Sequence, residues 1–340
     1  MKNCFIHSAI CVSAQDSFST EEFLNQITEF ETEKVQAKYP NYKEFFSPIA
    51  SRRMATGVKM GFAAAKKTLT EADIENPDAI LVGTGIGCIE DTEKFLNNIL
   101  ANDEEYLTPT SFIQSTHNTV GAQIALSLNC KGYNNTYVQA SNSLESALLD
   151  AQMLLSENEA QNVLVGGVDE LGAEFIDSVI MMEKKEILPI NVPFSEGAAF
   201  FLLSNEFKPN SIQLVDVEMI HKIETDKVEE RMLAFLTNNN LSSTDIDILV
   251  LGKNGDGFDE YYSMLEEGFS DRTLSISYKR LCGEYFTSSG FAMWLGYEIL
   301  KRQDIPKQLS KGIQTNKPIK TVLIYNQFKG IGHSFTLLSK

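Results

Sequence analysis

Ser141 is the side chain most strongly placed to do chemistry. It lies in Tyr137-Val138-Gln139-Ala140-Ser141-Asn142-Ser143, between an extended β-rich stretch and a strongly periodic helix. Apolar residues follow at Leu144, Ala147, Leu148, Ala151, Leu154 and Leu155, the i, i+3, i+4, i+7 recurrence of a helix that buries one face. A hydroxyl at a strand-to-helix turn sits beside free backbone N–H groups and the positive end of the helix dipole, where an anion is stabilised. The same place suits a serine N-cap. Local sequence leaves both readings open.

The other reactive residue types form no familiar constellation. The 5 cysteines (Cys4, Cys11, Cys88, Cys130 and Cys282) are odd in number and scattered, with no CxxC pair, which suits a reducing cytoplasm rather than a disulfide framework. The 4 histidines (His7, His117, His221 and His333) have no HExxH or similar ligand spacing, so neither a metal nor a cofactor is expected. Gly83-Thr84-Gly85-Ile86-Gly87 follows a β-rich run, but Cys88 stands where a dinucleotide fingerprint needs its last glycine.

These residues sit in a chain of 340 with 43% apolar and 22% charged content, values of a soluble globular protein with a substantial core. A net charge of −17 argues against a nucleic-acid partner, which requires basic patches. Short basic clusters remain at Arg52-Arg53, Lys66-Lys67 and Lys184-Lys185, mostly as solvated faces. No apolar run approaches the roughly 20 residues of a membrane span. Met1–His7 reads as a first strand rather than a signal peptide.

The elements that must position Ser141 alternate. Strands are expected at 79–82, 136–139, 162–165 and 198–203, with helices at 51–69, 91–100, 120–128 and 142–156. A second series has strands at 212–220, 246–251, 274–275, 322–325 and 334–338, and helices at 227–238, 259–267 and 288–302. Alternation implies mainly parallel sheets with helices on their faces. Each half places a small-residue turn before a long apolar helix (140–143 and 286–290), and each ends in a strand after a glycine turn. The expectation is an α/β body of two similar halves, residues 1–207 and 208–340, divided near Asn205–Asn210.

Four segments in order carry a resemblance. They are Gly83–Gly87; Asn118–Ala125 with Lys131-Gly132; Val165-Gly166-Gly167-Val168-Asp169-Glu170; and Pro193-Phe194-Ser195-Glu196-Gly197-Ala198-Ala199. Over nearly its whole length the chain resembles the β-ketoacyl synthases, condensing enzymes of the thiolase fold. The resemblance implies a layered α/β/α/β/α body and a dimer, made with itself or with an active ketosynthase. It also implies an acyl carrier protein as partner, with Arg52, Arg53, Lys66 and Lys67 as candidate contacts.

Those synthases use a cysteine to carry the acyl chain and two histidines to promote decarboxylation of a malonyl thioester. The cysteine position falls on Ser141, and the histidine positions fall on Asn254 in Asn254-Gly255-Asp256-Gly257 and Glu284 in Lys279-Arg280-Leu281-Cys282-Gly283-Glu284. Lys279 is kept. The closing turn, which supplies a gating phenylalanine in the family, is looser here and falls around Phe328-Lys329-Gly330-Ile331-Gly332. A serine needs a positioned base where a thiol needs little help. Asn254 cannot exchange protons, and an ionised Glu284 opposes a developing enolate. The resemblance therefore implies a condensation-deficient subunit, like the chain length factors that pair with an active synthase. The alternative is an acyltransferase or thioesterase using Ser141, with Glu284 as base. Cys282 reads as inert core and His117 as a structural hydrogen-bonder.

Overall fold

The computed structural model describes residues 4–19, 23–105, 107, 109–209, 211–270, 272–310 and 317–340. Met1–Asn3 of the expected first strand and Asn210 of the expected boundary lie outside the described residues. Among the described residues ten strands form one sheet: β1 (Phe5–Val12), β2 (Ala79–Gly83), β3 (Tyr133–Tyr137), β4 (Asn162–Asp169), β5 (Gly197–Ser204), β6 (Ile212–Ile220), β7 (Ile248–Leu251), β8 (Leu274–Ser277), β9 (Thr321–Phe328) and β10 (Ile331–Ser339). Their order is β3-β2-β4-β5-β1-β6-β10-β9-β7-β8. Counted from each half's own first strand, the order 3-2-4-5-1 meets its mirror image 1-5-4-2-3. The repeat read from the sequence is thus a repeat of topology. Its halves meet where Phe5 pairs with Gln213 and Ile6 with Ile212.

The sheet is mixed rather than mainly parallel. Among the named strands of the described residues, only β2 with β3 and β4, and β7 with β8 and β9, run parallel. In each half the last strand returns antiparallel to its neighbour, β5 along β4 and β10 along β9, and β1 and β6 pair antiparallel with those returning strands. Between β9 and β10 only Lys329 and Gly330 intervene, a hairpin too short for any parallel crossover.

Side-chain alternation builds the layers. In the first half Leu81, Val165 and Phe201 face a central cluster, while Ile80, Leu164 and Phe200 face an outer one with the Thr56–Ala72 and Thr119–Leu128 helices. In the second half Val250 and Ile324 face the central cluster, while Leu251 and Tyr325 face an outer one with the Val228–Asn238 and Glu260–Glu267 helices. The central cluster is filled by the helices Ser143–Ser156 and Ser289–Arg302. Five layers, α/β/α/β/α, result. Every residue from Ser289 to Leu300 is buried, as its nearly unbroken apolar run demands. The first helix starts at Thr56 instead of residue 51, because Ser47 caps a separate short turn, Pro48–Ser51, ahead of it. The helix Ala173–Glu183, which the sequence reading leaves out, follows β4.

Candidate functional site

Ser141 stands at the sharpest point of the β3-to-helix connection. Ala140 is held at φ 49°, a left-handed conformation uncommon for a residue with a side chain. A 3-10 turn, Ala140–Asn142, then leads into the Ser143–Ser156 helix. Ser143 ties the turn down, its Oγ accepting from Gln139 N at 2.8 Å and reaching Thr84 O at 2.9 Å. Ser141 itself makes no cap bond. Among the described residues its hydroxyl meets only the Gly332 carbonyl, at 3.5 Å, the outer limit of a hydrogen bond. Gly332, at φ 60°, leaves no room for more: a Cβ there would lie 2.6 Å from Ser141 Oγ. No base is hydrogen-bonded to Ser141 among the described residues.

Asn254, Lys279 and Glu284 are brought together. Asn254 follows β7, and its Oδ1 accepts from Asp256 N at 3.1 Å in a local turn. That fixes its amide, whose Nδ2 donates to Glu284 Oε2 at 2.8 Å. Glu284 Oε1 lies 2.9 Å from Lys279 Nζ, with the two side chains only 4% and 1% exposed. The Glu284 backbone is pinned between Pro193 O at 2.8 Å and Ser195 N at 3.0 Å, so the Pro-Phe-Ser segment clamps it from the first half. The carboxylate is paired on both oxygens. No hydrogen bond links this trio to Ser141 among the described residues.

The acidic motif residues act as structural pins. Asp169 Oδ1 accepts from Thr84 Oγ1, Gly85 N and Ile86 N at 3.0, 2.8 and 3.1 Å. Its Oδ2 accepts from Thr287 N and Oγ1 at 2.9 and 2.8 Å, so one carboxylate joins the glycine turn to the second half. Glu170 accepts from Gly57 N at 2.5 Å and Glu90 N at 3.1 Å, capping two helices whose own N-cap residues, Ala55 and Cys88, make no side-chain cap. Glu196 accepts from Ala37 N and Leu171 N at 3.2 and 3.1 Å, and from the Tyr39 hydroxyl.

One buried acid in the central layer escapes the sequence reading. Glu145, one turn after Ser141, is 1% exposed. One of its oxygens meets Ser334 Oγ at 3.3 Å, and the other has no partner among the described residues. Burial pushes its carboxyl up to about 7. His117 is exposed and packs on Gly87. Cys282 is fully buried, and burial raises its thiol well above the ordinary range, so neither supplies a base or nucleophile.

Beside Glu284 opens an apolar cavity of about 230 Å³. Phe175, Ile176 and Val179 of the Ala173–Glu183 helix face Phe194, Phe286 and Phe328 across it. Phe286 and Phe328 meet at 5.4 Å between ring centres, and Ser141 is not among the lining residues. The signal for this wall was present in the spacing of Phe175, Ile176, Val179 and Ile180. Among the described residues no group of His, Cys, Asp or Glu could hold a metal ion, and no helix is long and apolar enough to cross a membrane.

The geometry can be set beside known proteins. Residues 26–192 match the family model described as beta-ketoacyl synthase, N-terminal domain. No curated protein is close enough in sequence to be matched. Among solved structures, a beta-ketoacyl synthase from Burkholderia phymatum superposes with a TM-score of 0.80 at 15% identity, covering 100% of both chains. The ishigamide ketosynthase/chain length factor gives 0.77 at 14%, covering 99% of each chain. The ketosynthase ApeO in complex with its chain length factor ApeC, from Xenorhabdus doucetiae, gives 0.77 at 17%, covering 99% of this chain and 98% of that one. Residues 26–192 are thus similar to the β-ketoacyl synthase N-terminal domain, and the whole length of the chain takes the thiolase-like fold of the solved ketosynthases.

Proposed function

We propose that this chain is a condensation-deficient, chain-length-factor-like subunit that pairs with an active ketosynthase and shapes the space in which a carrier-bound acyl chain grows. The observation that carries this reading is the state of Glu284. Where the family resemblance expects a histidine, a carboxylate is sealed in an ion pair with Lys279 and bonded by Asn254. A site built to stabilise an enolate presents donors to the developing oxyanion. This one presents a negative charge whose partners are already spent. A Ser141-dependent acyltransferase or thioesterase needs a base, and the hydroxyl is bonded to none.

The pairing surface has support of its own. Among the described residues β3 is hydrogen-bonded only to β2, leaving its other edge open. Exposed apolar side chains surround it: Tyr133 and Val138 on and beside the strand, Leu126 on the helix before it, and Met153 on the helix after it. The resemblance to solved ketosynthases with chain length factors, and to one bound to an acyl-carrier protein, points the same way.

The test is co-expression with a Cys-His-His ketosynthase from the same genome. A stable one-to-one complex, with condensation of malonyl and acyl carrier proteins lost when either subunit is omitted, is the expected result. Condensation by the isolated chain would sink the proposal. Intact mass after incubation with acyl thioesters separates the serine-enzyme reading, which requires an adduct lost in Ser141→Ala.

A further inference from the structure

A single ion pair spans the edge of the apolar cavity. Lys329, in the β9–β10 turn, reaches Glu183 at the end of the Ala173–Glu183 helix, and both side chains line the cavity. Two features distinguish it from an ordinary surface pair, whose contribution is small. Glu183 is 7% exposed at the side chain, and its other oxygen accepts from Ile190 N at 3.3 Å. Lys329 stands at φ 52° and Gly330 at φ 73°, the positive values a two-residue hairpin requires. Asparagine or glycine is the unstrained choice at that first position, so the turn carries backbone strain at Lys329.

The remaining charged groups in the lining offer a guest little. Glu284 is paired with Lys279, and Glu170 is spent on two helix N-termini. The one cation, Lys329, already has a carboxylate, and taking it away would leave Glu183 buried and unpaired. An anionic head group is disfavoured on both counts.

We propose that Glu183 and Lys329 form a latch on this cavity, and that the guest it admits is a neutral apolar chain. The proposal rests on the functional reading above for the natural guest, an acyl chain with its carboxyl masked. It rests on the cavity alone for the latch.

The neutral apolar dye N-phenyl-1-naphthylamine reports entry into the isolated full-length chain by fluorescence. Saturable binding at one site, abolished in Val179→Trp, is expected. Neutralising the pair as E183Q/K329M should speed entry about tenfold, and the charge-reversed E183K/K329E should restore slow entry. High salt should speed entry in the wild type and the charge-reversed variant but not in the neutralised one. Methyl dodecanoate should displace the dye at least about tenfold better than dodecanoate. Equal entry rates in wild-type and neutralised proteins, both folded by circular dichroism, would overturn the latch. Failure of the dye to bind the neutralised protein, or binding indifferent to Val179→Trp, would overturn the guest site, and stronger displacement by dodecanoate would overturn its neutrality. None of these readouts uses condensation or a partner, so their failure and that of the pairing experiment are distinct.

Discussion

The Glu284 carboxylate lies 2.9 Å from the Lys279 ammonium, with both side chains sealed from solvent. Removing one member of such a pair strands the other as an uncompensated buried charge. Glu284→Ala is therefore expected to destabilise the fold by about 3–5 kcal/mol, read as a shift in the urea midpoint. Replacing both, as Lys279→Met with Glu284→Leu, should recover most of that loss, since the pair's desolvation cost disappears with it. A double variant no more stable than Glu284→Ala would show that the pair does more than neutralise itself.

Glu145 sets a pH dependence of opposite sign to the usual carboxylate. Its carboxyl is pushed from 4.5 to about 7 by burial, so the folded state holds the proton more tightly than the unfolded chain. The stability it supports is fully present below about pH 4.5 and falls as pH rises through about 7. Glu145→Gln should flatten that part of the profile and leave the protein about 3 kcal/mol more stable than wild type at pH 8. Chemical denaturation at pH 5 and pH 8 checks this, and a variant advantage equal at both values would refute it.

Asp169 joins the glycine turn after β2 to Thr287 through five donors on one carboxylate. An asparagine presents an amide to one set of those donors, so Asp169→Asn is expected to cost about 3 kcal/mol or more despite its equal size. Hydrogen exchange supplies the specific signature. Residues 84–87 and 286–288 should lose protection together, although one belongs to each half. Loss confined to one segment would mean that the carboxylate does not couple them.

Much of this was legible in the chain, and the rest was hidden for physical reasons. Motif order pointed to Asn254, Lys279 and Glu284, which the fold brings together, and to Ser141, which no hydrogen bond joins to them among the described residues, while the paired turn-and-helix signals pointed to the repeated topology. Strand direction was not readable, because antiparallel return depends on connections such as Lys329-Gly330 that periodicity does not register. Glu145 looked like the polar side of a one-faced helix. In the structure Ser143–Leu148 are all buried, because a helix between two half-sheets has no solvent face at that end. The Lys279–Glu284 pair depends on the left-handed Gly283 between them, at φ 82°, which turns the chain back after the short Lys279–Cys282 helix.

Gly332 and Ser141 form a contact that admits nothing larger. A methyl group at residue 332 would meet Ser141 Oγ at 2.6 Å, at a backbone φ of 60°. Gly332→Ala should cost about 1–3 kcal/mol, from strain and overlap together. Ser141→Gly in the same chain removes the overlap but not the strain, so partial rescue is expected. A double-mutant cycle on thermal or urea unfolding measures the coupling, and strict additivity would place the two residues out of contact.

Restoring the nucleophile alone should not restore condensation. In Ser141→Cys the thiol would stand at a helix N-terminus, which lowers its pKa, yet among the described residues no histidine is hydrogen-bonded to this position to take its proton or to hold an enolate. With Ser141 only 6% exposed, slow iodoacetamide labelling of the introduced thiol is expected, without any turnover of malonyl and acyl carrier proteins. Adding Asn254→His and Glu284→His completes the set that the family resemblance implies, but it also deprives Lys279 of its carboxylate. The triple variant should therefore be less stable than Ser141→Cys by about 3 kcal/mol or more, so activity has to be assayed below its unfolding transition. Turnover by Ser141→Cys alone would show that Asn254 and Glu284 suffice for the decarboxylative step, and the reading of a condensation-deficient subunit would have to be abandoned.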